Sequence, residues 1–231
     1  MARDVDDGLA PEDCLQPTWY LDADHPGIVA FAERVVADSG AESGRHRAVA
    51  LFDAVRDGWR YDPYNMVLEA DSFKASNVLA SASNWCIPKS VLLTTACRAV
   101  GIPARLGFSD VRNHLQSEKL RAKMGTDLFV FHGYSELWIE GVWRKASSAF
   151  NKELCDRFGT KVLEFNGVDD ALMHSFDESG NRHMEYVNER GSFADVPLAE
   201  MLAAFDEAYG ADGYGAAEVD DGADDEAFAS R

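Results

Sequence analysis

Residues 86–100, CIPKSVLLTTACRAV, followed by Gly101-Ile102-Pro103, decide the fold of this 231-residue chain. Val91, Leu92, Thr95, Ala96 and Ala99 recur at helical spacing, Pro88 stands in the first turn where its missing N–H does no harm, and Gly-Ile-Pro stops the run. Next come 128–140 (LFVFHGYSELWIE) and 142–147 (VWRKAS), rich in aromatic and β-branched residues and meeting at Glu140-Gly141. They predict two antiparallel strands joined by a tight turn.

Upstream, Asp24 offers an N-cap ahead of Pro26, and Ile28, Phe31, Ala32, Val35 and Val36 carry a helix that ends at Ser39-Gly40. A second amphipathic stretch covers 45–57, with Ala48, Leu51, Phe52 and Val55 on one face. WRYDPYN (59–65) reads as a turn into an extended piece, because Pro63 biases Asp62 away from helix. Downstream, a hairpin over 171–188 turning at ESGN (178–181) and a helix at about 197–209 are expected.

Residues 1–17 hold one Arg against five acids and 210–231 one Arg against seven, so the ends carry much of the −18 net charge. The organisation expected is an acidic arm over 1–17 with order starting near Trp19, a domain over 18–209, and an acidic disordered tail over 210–231. The negative charge argues against phosphate backbones and anionic lipid surfaces, so neither nucleic acid nor membrane is an expected partner. No apolar run reaches the roughly 18 residues of a membrane span, and no leader-like segment opens the chain, so a cytoplasmic location is expected. Cys14, Cys86, Cys97 and Cys155 lie far apart without a Cys-x-x-Cys pair, which signals neither disulfides nor zinc. No metal and no cofactor are expected.

Cys86 opens the predicted helix, where unpaired N–H groups and the dipole favour a thiolate and the oxyanion of a tetrahedral intermediate. The other reading of such a Cys is a small buried hydrophobe. Strict alternation along 128–140 places Val130, His132, Tyr134, Glu136 and Trp138 on one face and Phe129, Phe131, Gly133, Leu137 and Ile139 on the other. His132 there is either a general base for the thiol or an ordinary strand histidine.

Three stretches, VRDGWRYDPYN (55–65), ASNVLASASNWCIPKSVLLTTACRAVGIPARLGF (75–108) and FHGYSELWIEGVWRKASSAFN (131–151), resemble the transglutaminase-like superfamily of papain-like Cys-His enzymes. HMEYVNERGSFADVPL (183–198) is similar to a bacterial and archaeal branch of it. The resemblance covers about 18–205. It implies an α+β, papain-like fold with a nucleophile-bearing helix packed on an antiparallel β-sheet, Cys86 as nucleophile and His132 as base. It also implies chemistry on amides of peptide or protein substrates: a cysteine peptidase or amidase reaction, or acyl transfer to an amine.

One departure stands out. Family members with a full triad carry an Asp on the strand after His, whereas WRKASS leaves Ser147 at that place. With a two-residue turn, paired residues sum to 281, so Ser147 faces Tyr134 and lies diagonal to His132. Ser147 is the first candidate third member and Asn151 the alternative. Glu136 pairs in this register with Lys145 and reads as a cross-strand ion pair. Trp85 and Asn84 are candidates for an oxyanion donor or a substrate wall, or else for a core residue and a cap. His174 would oppose Glu185 in the 171–188 hairpin without a convincing third metal ligand, and Arg98, Arg105, Arg112 and Arg121 are too loosely spaced for an anion site. The rival to an enzyme is a non-catalytic peptide-binding module on the same fold.

Overall fold

A computed structural model of the chain describes residues 8–64, 66–114, 116–173 and 183–210. Packing begins earlier than Trp19: a 3-10 turn at Pro11–Leu15 buries Cys14 completely. Helix α1 (Pro26–Ser39) is capped by His25, whose Nδ1 accepts from Gly27 N–H at 3.2 Å, rather than by Asp24. Gly40 closes it in the left-handed region, and Ser43 caps α2 (Gly44–Gly58) through a bond from His46 N–H. Two-residue strands β1 (Arg60–Tyr61) and β2 (Ser83–Asn84) pair in parallel, with α3 (Ala75–Leu79) between them.

Helix α4 (Cys86–Ala99) is buried on every side from Cys86 to Arg98, a core helix rather than an amphipathic one. Its polar side chains therefore need partners. Thr94 Oγ1 bonds Ser135 Oγ at 2.9 Å, Ser90 and Thr95 turn back on their own helix, and Arg98 donates to the carbonyls of Ala104, Gln16 and Ala194. The fully buried Lys89 donates to the carbonyls of Arg56 (2.8 Å) and Trp59 (2.6 Å), tying the end of α2 to α4.

Strand β3 (Ala104–Asn113) follows, then α5 (Glu118–Met124), β4 (Leu128–Ile139), β5 (Val142–Ala146), α6 (Lys152–Phe158), β6 (Met184–Phe193) and α7 (Leu198–Tyr209). The four long strands form one antiparallel sheet in the order β5-β4-β3-β6, with α4 against β4 and β3. This is the α+β arrangement of a buried helix on an antiparallel sheet.

The β4–β5 register runs from Ile139↔Val142 to Ser135↔Ala146, as a two-residue turn at Glu140-Gly141 requires; Glu140 takes the left-handed φ of 53° that such a turn needs. Residues 184–188 pair with β3, while most of one arm of the expected 171–188 hairpin, its ESGN turn and His174 included, lies outside the described residues. One expectation fails. Glu136 and Lys145 are register partners, but Glu136 bonds Arg105 Nε at 2.6 Å and Ser192 Oγ at 2.9 Å, while Lys145 reaches Glu189 at 2.8 Å. The reason is that β4 is an inner strand: Arg105 stands opposite Glu136 on β3, and its planar fork suits a buried carboxylate better than an ammonium does.

Candidate functional site

Cys86 is the first residue of α4, and His132 lies in β4; together they line a cavity of about 20 Å³, walled by Trp85, Tyr61, Phe205 and Tyr209. That is room for roughly one water. Both side chains are nearly enclosed, at 8% and 4% exposure.

Gly133 explains how the strand comes so close to the helix. A Cβ there would meet Ser90 Oγ at 2.9 Å and Ile87 Cα at 3.1 Å, so only a glycine lets β4 rest on the first turn of α4. The approach brings the Gly133 backbone to the Cys86 thiol, where it and the backbone of Ile87 pull the thiol's pKa down. The close approach brings the nucleophile candidate and the histidine next to Gly133 to one cavity.

The electrostatics differ from what placement at a helix end implies. Burial pushes the Cys86 thiol up to about 11, outweighing the N–H groups that pull it down. Burial also lowers His132 to about 4. In the closed site the pair is therefore a neutral thiol and a neutral imidazole at pH 7, and not a thiolate–imidazolium pair. Cys97, deeper in α4, is raised further by burial alone, with no N–H to oppose it, as suits a core thiol.

The strand does not alternate strictly on its way to His132. Ser109 pairs with His132 but Val111 pairs with Phe129, so β4 carries one extra residue opposite Asp110. At this bulge Phe131 has φ 54°, a left-handed conformation that costs a bulky residue about 1–3 kcal/mol. The extra residue shifts the parity, so Phe129 shares a face with His132, contrary to the sequence assignment, and both line the cavity. Buried Asp110 holds the bulge by accepting from Phe131 N–H at 3.1 Å, and is itself bonded by Arg190 Nε (2.8 and 3.0 Å) and Asn188 Nδ2 (3.0 Å). Burial alone would raise its pKa, but these bonds win and hold the carboxyl below its ordinary range. Arg190, itself the extra residue of a bulge in β6, lies 4.8 Å from the Phe131 ring centre.

None of Asp110, Arg190 and Phe131 was a sequence candidate. A bulge has no strong signature without its partner strand, although the alternation of Leu106 and Phe108 gives β3 a local strand signal.

Ser147 is 1% exposed and follows Ala146 at the end of β5, diagonal to His132 in the continued register; its N–H donates to Ala171 O at 2.8 Å. Its Oγ and His132 Nε2 are both buried, and among the described residues neither has a hydrogen-bond partner, so the two are not bonded to each other. Asn151 is held elsewhere: its Oδ1 accepts from Tyr61 N–H at 3.1 Å, which fixes the Tyr61 wall of the cavity. Asn84 turns its amide to Ser81 Oγ at 2.6 Å, away from an oxyanion role, while Trp85 is a cavity wall packed between Phe73 and Phe205. Glu185 pairs with His114 at 2.9 Å. Among the described residues no cluster of three or more His, Cys, Asp or Glu side chains stands ready for a metal ion, and no helix is long and apolar enough to cross a membrane.

A crystal structure from Cytophaga hutchinsonii, assigned provisionally as a cysteine protease, is similar at 19% identity and a TM-score of 0.43 over 64% of this chain. The matched region is 45% of that chain, so this chain spans less than half its length. No curated protein matches the sequence. The model of the transglutaminase-like superfamily matches residues 29–147, a stretch that holds α4 with Cys86, the bulged strand with His132, and Ser147. Since that match takes in more than half of the chain, the chain belongs to the transglutaminase-like superfamily.

Proposed function

We propose that the chain is a thiol-dependent peptidase or amidase in which Cys86 is the nucleophile and His132 the base. One observation carries the reading: Cys86, at the head of a buried helix where backbone groups of helix and strand pull its pKa down, lines the same narrow cavity as His132. In the reaction the imidazole takes the thiol proton as sulfur attacks the amide carbonyl, and the oxyanion forms against the N–H groups of the helix end. Collapse breaks the C–N bond, His132 returns the proton to the leaving amine, and water hydrolyses the thioester. Transfer of the acyl group to an amine is the less favoured outcome, because no feature of the site selects an amine over water.

Ser147 stands where full triads carry an Asp, with Asn151 as the alternative third member. The Ser147 Oγ is not bonded to His132 and supplies no charge to imidazolium, so any orientation it gives passes through a bridging water and is weak. The substrate is a peptide or protein amide, and it gains access by displacing the aromatic wall at Phe205. The second reading, a peptide-binding module without turnover, draws on the missing carboxylate and the neutral dyad.

An electrophilic probe for reactive cysteines, applied to wild type and Cys86→Ala and followed by a peptide-library cleavage screen, tests the reading. Covalent labelling at Cys86 together with cleavage lost in Cys86→Ala supports an enzyme. Peptide binding without labelling or cleavage supports the module.

A further inference from the structure

Where β4 bulges, Val130 and Phe131 stand opposite Asp110, and their N–H groups are each met by a side chain. The Phe131 N–H goes to Asp110 Oδ1 at 3.1 Å, and the Val130 N–H goes to the Tyr209 hydroxyl at 2.6 Å. Tyr209, the last residue of α7, in turn donates to Leu128 O at 3.2 Å, so its hydroxyl bridges the strand on the near side of the bulge. A left-handed Phe131 persists only if its surroundings over-determine it. Asp110 does so from the next strand, backed by Arg190 and Asn188, with the Arg190 guanidinium over the Phe131 ring.

His132 is the very next residue. Releasing the bulge would return β4 to strict alternation and reverse the face of every residue on one side of it, His132 relative to Phe129 included. We propose that Asp110 and Tyr209 are positioning residues for His132: they pin the two N–H groups of the bulge and so set the imidazole against Cys86. Through Tyr209, the helix that walls the cavity also holds the strand that carries the base. The inference rests on the proposed Cys86–His132 function.

The test is the rate at which iodoacetamide modifies Cys86, read by peptide mapping, for each variant with His132 present and in a His132→Ala background. Asp110→Leu removes the acceptor at similar size and is expected to slow modification about tenfold with His132 present, and less than twofold without it. Asp110→Asn keeps an oxygen for the Phe131 N–H and is expected to stay within about threefold of wild type. If Asp110→Leu fails to fold, Tyr209→Phe, which deletes only the hydroxyl, is expected to slow modification about threefold, again only with His132 present. Equal losses in both backgrounds, or no loss in folded variants, overturn the positioning role. If His132→Ala alone leaves the rate unchanged while Asp110→Leu slows it, the reading of His132 as base fails, and the proposal with it.

Discussion

From Gly133 to Ile139, β4 follows the rules of a regular strand: it pairs with β5 in the register set by the turn and its small residue sits where the helix presses. From Leu128 to Phe131 the same strand breaks them, with an extra residue, a left-handed Phe131 and backbone donors capped by side chains of β3 and α7. His132 stands at the junction. The regular half anchors the strand to α4, while the irregular half aims the residue between the two. Strain is tolerated beside the site because the rest of the sheet over-determines it.

The strongest way to break this comparison is to remove the groups at the junction. Cys86→Ala and His132→Ala are each expected to lower amide turnover by about 10³-fold or more while keeping the fold. The double variant is expected to be scarcely worse, because the two act as a unit. Additive losses, measured on a peptide found by the library screen, would dissolve the dyad.

His132 also gives a signature in stability. Its folded pKa is about 4, below the ordinary value of 6.5, so the unfolded chain takes up the proton first as pH falls. The contribution is intact above pH 6.5 and is lost on going down to about 4, by up to about 3 kcal/mol. Urea titrations of wild type and His132→Ala across that window check this, since the variant is expected to show a shallower loss. Equal slopes would mean that the imidazole titrates freely and the site is open.

Gly133→Ala attacks the regular half. A methyl group 3.1 Å from Ile87 Cα forces helix and strand apart at an expected cost of about 1–3 kcal/mol, read as a melting temperature lower by several degrees. A variant as stable as wild type would show that the close approach is incidental.

Phe205→Ala strips the cover from the bulged end of the cavity. Iodoacetamide modification of Cys86 is expected to rise about tenfold under conditions where the variant stays folded, as solvent reaches the thiol and its pKa falls from about 11. An unchanged rate would mean that entry is by another wall.

Ser147 gives the smallest effect and the finest discrimination. Ser147→Ala is expected to change labelling at pH 6 by less than about threefold. Ser147→Asp is expected to speed it by about threefold, because a carboxylate diagonal to His132 raises the imidazole pKa and favours the ion pair. If Ser147→Asp does nothing in a folded protein while Asn151→Ala abolishes labelling, the orienting role passes to Asn151 by way of Tyr61.

Much of the candidate site was legible because its signals are local. A Cys beside Pro88 at the start of an apolar run, and a His within an aromatic strand, need no knowledge of distant residues. Asn84, Asn151 and Glu136 show the limit: each side chain has several partners within reach, and the one it takes depends on which backbone is brought near. Glu136 bonds Arg105 because β3 lies beside β4, a pairing that the hairpin with β5 says nothing about.

The sequence by itself determined the helix with Cys86 at its head, the 281 register of the β4–β5 hairpin and the family, because capping, apolar periodicity and turn geometry act over a few residues. Only the tertiary structure decided the neutral state of Cys86 and His132, the wall that α7 gives the cavity, and the bulge beside His132. Burial is the summed exclusion of water by elements far apart in the chain, and a bulge exists only against a partner strand; neither can be read from one segment alone.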